Sequence, residues 1–222
     1  MKLAHPFLSK PVEWEEGYVT SIIVEAPAFL YNFTTELIRQ EAGDDGNFVL
    51  SHNNDILRID KNLEIITDVF RMDFANKKIF AGLQKELAEI GRNKYDAVLC
   101  QIYSDLQKLF EDMEQDLPYA IEYETICTPE PIIKLMNARP EQDADSLAEK
   151  LITYMELSKH YTGKNVFVIL NMKAFLTKEQ FQLLCKDIVY RKICVLFMDG
   201  VDLYSVGQEK KLIIDSDLCE IE

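Results

Sequence analysis

The sequence lacks the long apolar runs that characterise membrane and secreted proteins. Its 222 residues contain no run of about eighteen apolar residues, so no membrane span is expected. The start, Met1-Lys-Leu-Ala-His-Pro-Phe7, has no apolar core of the kind that a signal peptide carries. We therefore expect a cytoplasmic protein.

Metal-binding and disulfide patterns are also missing. The three histidines, His5, His52 and His160, are scattered without the spacing of metal ligands, which argues against a zinc site. None of the five cysteines forms a C-x-x-C pair, and two of them, Cys185 and Cys194, lie in apolar runs. We expect reduced and buried cysteines. The remaining cysteines are Cys100, Cys127 and Cys219.

No motif for nucleotide binding or nucleophilic catalysis occurs. G-x-x-x-x-G-K-[ST], G-x-G-x-x-G and G-x-S-x-G are all absent. Thr162-Gly163-Lys164 matches a fragment of the first motif, but it precedes a predicted strand, whereas a phosphate loop must follow a strand and open a helix. The loop after the first strong strand is Glu25-Ala-Pro-Ala28, whose carboxylate would repel phosphate. We therefore expect no ATP site, while a Cys/His pair for nucleophilic catalysis stays open because no cysteine lies in a recognisable motif.

What the sequence does contain is a clear β-α-β unit. Val166 to Leu170 is a continuous apolar run that predicts a strand buried on both faces. Thr177 and Gln180 have the spacing of a capping box, which predicts a helix start. A second buried strand follows at Ile193 to Met198. Because such units almost always form parallel neighbours, the pattern predicts a mostly parallel α/β sheet.

The rest of the chain predicts one α/β domain with a helical insertion. Residues 18–24 predict a strand, Pro27 the first turn of a helix, and residues 48–59 a hairpin with Asn53-Asn54-Asp55 at its tip. From about Asn76 the apolar period becomes helical. We assign residues 1–75 and 161–222 to an α/β head and residues 76–160 to a helical leg.

The charge balance is strongly acidic, with a net charge of −14. This argues against a protein that binds nucleic acid over its whole surface, but it leaves room for a local basic face or lumen. The densest acidic stretch runs from Glu111 to Glu124, where carboxylates could hold Ca²⁺ through oxygen ligands. EF-hand spacing is absent, and most of these acids are expected to be solvated.

Several segments, in one order along nearly the whole chain, resemble the Csn-two family, the accessory spacer-acquisition proteins of type II-A CRISPR systems. The matching segments are Lys10-Pro-Val-Glu-Trp-Glu15, Ile65-Ile-Thr-Asp-Val-Phe-Arg-Met-Asp73, Val166 to Glu179, Val195 to Asp199, Tyr204, and Leu212-Ile-Ile-Asp-Ser-Asp217.

The resemblance implies a head related to phosphate-loop NTPases but without an ATP site, and a helical leg. It also implies a homotetrameric ring that threads double-stranded DNA ends through a basic central hole, supported by Ca²⁺. Its expected partners are double-stranded DNA, further copies of itself, the adaptation integrase and the effector nuclease, with no membrane and no catalytic activity.

Carried onto this sequence, the family's basic pair corresponds to Lys134 and Arg139, which we predict to contact DNA phosphates. The alternative is that both only balance nearby acids. Lys77, Lys78 and Lys85 are further candidates, and Lys78 and Lys85 are seven residues apart and hence on one helix face.

The metal sites implied by the resemblance are only partly kept. Glu114 and Asp116 match the family's acidic stretch, and Glu122 and Glu124 follow, but Pro118-Tyr-Ala120 replaces further carboxylates. A family glycine is also replaced, by Arg71. No heptad seam fixes the number of subunits.

Two other functions remain open. A nuclease or phosphatase would use the Glu111–Glu124 carboxylates with a divalent metal and would degrade DNA. An acidic interaction scaffold would bind a basic protein and no DNA.

Overall fold

The computed structural model describes residues 1–74, 76–124, 127–141 and 144–221. Its elements are β1 Lys2–Ala4, β2 Val12–Glu13, β3 Val19–Val24, α1 Pro27–Ala42, β4 Val49–His52, β5 Asp55–Leu57, α2 Ile59–Asn62, β6 Leu63–Ile66, α3 Lys77–Lys94, α4 Asp96–Glu114, α5 Pro129–Leu135, α6 Leu147–Thr162, β7 Val166–Leu170, α7 Lys178–Tyr190, β8 Cys194–Asp199, β9 Glu209–Ile214 and β10 Glu220–Ile221. A 3₁₀ turn, Met172–Phe175, lies between β7 and α7.

The chain divides into two compact units. An α/β unit combines Met1–Asp73 with Gln142–Glu222, and a helical unit comprises Phe74–Glu141. The sequence pattern predicts a helical leg over residues 76–160, whereas in the structure α6 belongs to the α/β unit. The physical reason is burial, since the α6 residues Leu151 and Met155 are fully buried and the helix packs against α7.

The larger sheet of the α/β unit has the strand order β10-β9-β3-β8-β7-β6. β3 pairs in parallel with both β8 and β9, so that Ile22 lies opposite Met198 and Leu212. The pairs β7–β8 and β6–β7 are also parallel, while β10 is antiparallel to β9. The fold is therefore of the α/β class with a mixed sheet.

The predicted β-α-β unit is confirmed as β7, α7 and β8. Thr177 caps α7 in a capping box with Gln180, as its spacing predicted. Phe167 and Phe197 on the two strands are fully buried, as expected for strands covered on both faces.

A smaller antiparallel sheet has the order β2-β1-β4-β5. Its β4–β5 hairpin turns at Asn53 and Asn54, whose φ angles are 49° and 70°. A two-residue hairpin turn of this kind requires positive φ at both positions, which asparagine tolerates better than most residues. The hairpin predicted from residues 48–59 is thus confirmed over β4 and β5.

A buried ionic group lies at the loop between β8 and β9. Lys173 Nζ is 2.5 Å from Glu209 Oε1, and neither side chain is exposed. Lys173 also donates to the Tyr204 carbonyl at 3.0 Å. Nearby, burial raises the pKa of Asp199 to about 6, and its Oδ2 has no hydrogen-bond partner among the described residues.

The helical unit is built from α3, α4 and α5. A Cβ on Gly91 of α3 would lie 2.9 Å from Pro129 Cβ, so glycine permits the close approach of α3 and α5. Among the residues that the structure describes, no helix combines the length and apolar character needed to cross a membrane.

Candidate nucleic-acid interface

Three of the predicted DNA contacts lie on α3. Lys77 and Lys78 occupy its first turn, where the Asn76 side chain accepts from the N–H groups of Lys78 and Ile79. Lys85 lies two turns further on the same face as Lys78. All three lysines are exposed. Lys85 Nζ is 4.0 Å from Glu89 Oε1, a loose pair at the surface.

The other two predicted contacts lie on or just beyond α5. Lys134 is in the last turn of this helix, and Arg139 follows it; both are exposed. In α5, Glu130 forms an ion pair with Arg92 of α3. Because Lys134 is four residues after Glu130, it lies on the same face of α5. Arg92 is seven residues after Lys85, so this ion pair joins the lysine-bearing faces of α3 and α5.

Most of these cations are available to an anionic ligand. Within the described residues, Lys77, Lys78, Lys134 and Arg139 form no ion pair with a carboxylate. This observation speaks against the alternative that Lys134 and Arg139 only balance nearby acids. It holds although the helical unit as a whole is acidic.

Charge is divided between the two long helices. α3 has five basic and two acidic residues, which gives +3, whereas α4 has one basic and five acidic residues, which gives −4. Lys94, in the last turn of α3, adds an exposed cation that the sequence interpretation did not single out. Counting charge by helix would have found it.

An apolar stripe on α4 remains exposed. Each of its side chains is between 40% and 55% exposed. We call this set the α4 stripe: Val98, Ile102, Leu106, Leu109 and Met113. Its spacings of four, four, three and four residues place all five on one face. The sequence showed the periodicity, but only the structure shows that these side chains stay about half exposed.

The face of α4 next to the stripe contacts residues 121–124 and 127–128, which run back along the helix before α5 and which we call the returning segment; Leu106 of the stripe and Tyr123 line the same groove. Glu114 Oε1 accepts from the Ile121 N–H at 2.9 Å, and the Phe110 and Tyr123 rings are 5.3 Å apart. Burial, together with the Glu111 and Glu114 carboxylates, raises the pKa of Tyr123.

This arrangement separates the predicted calcium ligands. Glu114 faces the returning segment and is half-buried, while Glu122 and Glu124 alternate with Ile121 and Tyr123 and are exposed. Asp116 lies in the turn after α4. Among the described residues, no group of three or more potential ligands is collected. Since Ca²⁺ takes six to eight oxygens, these residues of one chain do not fit the ion.

The predicted strand at residues 121–126 is not found in its described part. Residues 121–124 keep the alternation of burial but join no sheet, and residues 125 and 126 lie outside the described residues. The alternation reflects packing on α4.

Comparison with known proteins agrees with the family resemblance found in the sequence. A family model described as CRISPR-associated protein (Cas_Csn2) matches residues 40–218. The CRISPR-associated protein Csn2 of Streptococcus agalactiae is 29% identical over 159 residues, which cover 70% of this chain and 69% of that protein.

Proposed function

Because the chain belongs to the Csn2 (Csn-two) family of CRISPR-associated proteins, which act in antiviral defence, we propose that it binds the ends of double-stranded DNA during spacer acquisition. The binding is independent of base sequence, and the protein is not an enzyme. Four copies form a ring with a basic lumen, and the α/β unit is a relative of phosphate-loop NTPases that has no ATP site.

The observation that supports this proposal is the set of unpaired cations on α3 and α5. A chain of net charge −14 repels DNA over most of its surface. Lys77, Lys78, Lys134 and Arg139 provide a local exception, because no carboxylate of the described residues neutralises them. Four copies of this set around a hole would concentrate positive charge where a duplex passes.

Such contacts select phosphate and not bases. Lysine is a flexible point charge and makes no patterned set of hydrogen bonds with a base edge unless it is rigidly placed. Each phosphate neutralised releases counterions, so the logarithm of the affinity falls with the logarithm of the salt concentration by about 0.9 per contact. We therefore expect a steep salt dependence without base preference.

The α4 stripe supports self-assembly. Contiguous exposed apolar side chains mark interaction surfaces. A ring of identical subunits needs a surface that a second copy covers. We propose that α4 of another copy, or an adjoining helix of it, covers the stripe. The adaptation integrase and the effector nuclease act with the assembled ring.

Calcium enters no step of this mechanism. The carboxylates Glu114, Asp116, Glu122 and Glu124 are not gathered into a site in the described part of one chain. Binding and assembly are assigned to the cations and the α4 stripe.

A double charge reversal tests the DNA contact. Lys134→Glu with Arg139→Glu is expected to weaken binding to a linear duplex by tenfold or more, on the order of the loss of two phosphate contacts per subunit. The matched control is Lys178→Glu with Lys186→Glu, two exposed lysines on α7, which should leave affinity nearly unchanged. Unchanged affinity in the first variant would remove the proposed interface. Shortened DNA with Mg²⁺ would favour the nuclease instead.

A further inference from the structure

Two exposed cysteines in the helical unit lie in contact. Cys100, on α4, and Cys127, just before α5, are separated by 27 residues in sequence, yet their Sγ atoms are 3.3 Å apart. Both are exposed and both are free thiols. The sequence predicted buried cysteines; Cys185 is buried and Cys194 is half-buried, but Cys100, Cys127 and Cys219 are exposed.

The contact is held by the packing of the returning segment on α4. Tyr103 lies one turn after Cys100, and its hydroxyl donates to the carbonyl of Thr128, the neighbour of Cys127, at 2.7 Å. The Phe110–Tyr123 ring contact and the Glu114–Ile121 hydrogen bond hold the same segment further along α4. The two thiols are therefore placed together by several independent contacts.

We propose that Cys100 and Cys127 form a reversible disulfide, a redox modification site that fastens the segment before α5 to α4. The sulfur atoms must approach from 3.3 Å to the bonding distance of about 2.05 Å, which small side-chain rotations can supply. Cys219, although exposed, has no such partner among the described residues.

The oxidant is a low-molecular-weight disulfide such as oxidised glutathione. One protein thiolate attacks it, forms a mixed disulfide and releases one small thiolate. The second protein thiolate attacks the protein sulfur of that mixed disulfide, so that the Cys100–Cys127 bond forms and a second small thiolate leaves. Both protein protons end on the two released thiols, and the two electrons reduce the small disulfide.

Closure should accelerate as pH rises. The hydrogen bond to Cys100 raises the pKa of Cys127, and burial and the negative charges of Cys100 and Asp96 act in the same direction. Only the thiolate is nucleophilic, so more of it forms at higher pH.

The bond would have a structural consequence next to α5. It closes the loop between α4 and the start of α5, and a closed loop restricts local opening. Lys134 would then be held more firmly for contact with DNA, and this consequence for DNA binding rests on the proposed function. The disulfide itself does not rest on it.

The test is titration of the full chain with oxidised glutathione, followed by intact mass measurement and peptide mapping without reduction. We expect a chain lighter by two hydrogens, with a cross-linked peptide pair containing Cys100 and Cys127. The variants C100S and C127S should accumulate the glutathione adduct instead, while C219S should still close the internal bond. Dithiothreitol should restore the reduced mass.

Two further readouts separate this proposal from accidental proximity. Amide hydrogen exchange at residues 121–124 should slow by about tenfold or more in the oxidised wild type and remain unchanged in C127S. Tyr103→Phe, which removes the hydroxyl contact, should slow closure of the bond without slowing the first adduct. Persistent double adducts on Cys100 and Cys127, or cross-linking mainly through Cys219, would overturn the assignment.

Discussion

The two long helices of the helical unit, α3 and α4, have nearly the same length but differ in the charge and in the apolar exposure of their surfaces. α3 carries +3 and its apolar positions are largely covered, with Ile79 and Ala88 buried. α4 carries −4 and exposes its apolar stripe, with Leu99 as its buried apolar residue. Each helix has an apolar period of the usual kind, so periodicity alone does not distinguish them.

We propose that the two neighbouring helices divide two tasks. A helix whose apolar face is already covered and whose cations are unpaired is suited to a polyanion. A helix whose carboxylates repel DNA and whose apolar face is open is suited to a protein surface. We therefore propose that DNA contact is made by α3 with α5, and that assembly proceeds through α4.

The largest effect is expected from breaking the α4 stripe. Leu106→Glu places a charge at its centre, where a covered interface would leave it without a partner, and should weaken association by roughly 2–4 kcal/mol. Light scattering against protein concentration measures the shift toward smaller species. The control, Gln101→Glu, adds the same charge beside the stripe and should retain the assembly. An unchanged mass for Leu106→Glu would remove α4 from the interface.

The next effect should fall outside both helices and leave their roles intact. The folded protein holds the pKa of Asp199 at about 6, above the ordinary value of 3.8, because the carboxyl group is buried. Folding is therefore favoured by the protonated form. The stabilisation by the protonated carboxyl group is complete below pH 3.8, the pKa of the group in the unfolded chain. It is lost as the pH rises through about 6, the pKa in the folded protein.

Asp199→Asn should thus stabilise the protein at pH 7 by on the order of 2–3 kcal/mol and flatten its stability between pH 4 and 6. Denaturant unfolding at several pH values measures this change. Equal pH dependence in the variant and the wild type would show that Asp199 is not the titrating group. DNA affinity and assembly at pH 7 should be unchanged.

A smaller effect separates the helices most directly. Lys78→Glu with Lys85→Glu should lower DNA affinity by about tenfold, because both cations on one face of α3 become anions. Assembly should be unaffected, which light scattering of the same sample verifies. If the subunit number fell with affinity, the division of tasks between α3 and α4 would be wrong.

The smallest effect should come from the ion pair between α3 and α5. Glu130→Gln frees Arg92, so DNA affinity should rise by about twofold to threefold. Stability should change by less than about 1 kcal/mol, because both side chains are about half exposed and such pairs contribute little. Fluorescence anisotropy with labelled duplex measures the gain; unchanged affinity would place Arg92 away from DNA.

The sequence predicted those parts of the fold that local patterns determine. β7, α7 with its Thr177 cap, and the hairpin at Asn53 and Asn54 all follow from spacing within a few residues. The membership of α6 in the α/β unit did not follow, because its burial depends on packing against α7. The exposed state of the α4 stripe likewise depends on what covers it and not on its period.

The candidate site shows the same limit. Lys134 and Arg139 were found by resemblance, but their lack of ion pairs is a property of the folded chain. The contact between Cys100 and Cys127 joins residues 27 apart and has no sequence signal. The carboxylates from Glu111 to Glu124 formed a cluster in sequence, yet Glu114 on α4 contacts the returning segment, whereas Glu122 and Glu124 are exposed on that segment.

The most direct test of the central claim is a mobility-shift assay with a linear duplex and the same DNA as a covalently closed circle. The linear form should shift at low salt, and its affinity should fall steeply with added salt, while the closed circle should not shift. Equal shifting of both forms would contradict binding through DNA ends, and no shift of either would contradict DNA binding altogether.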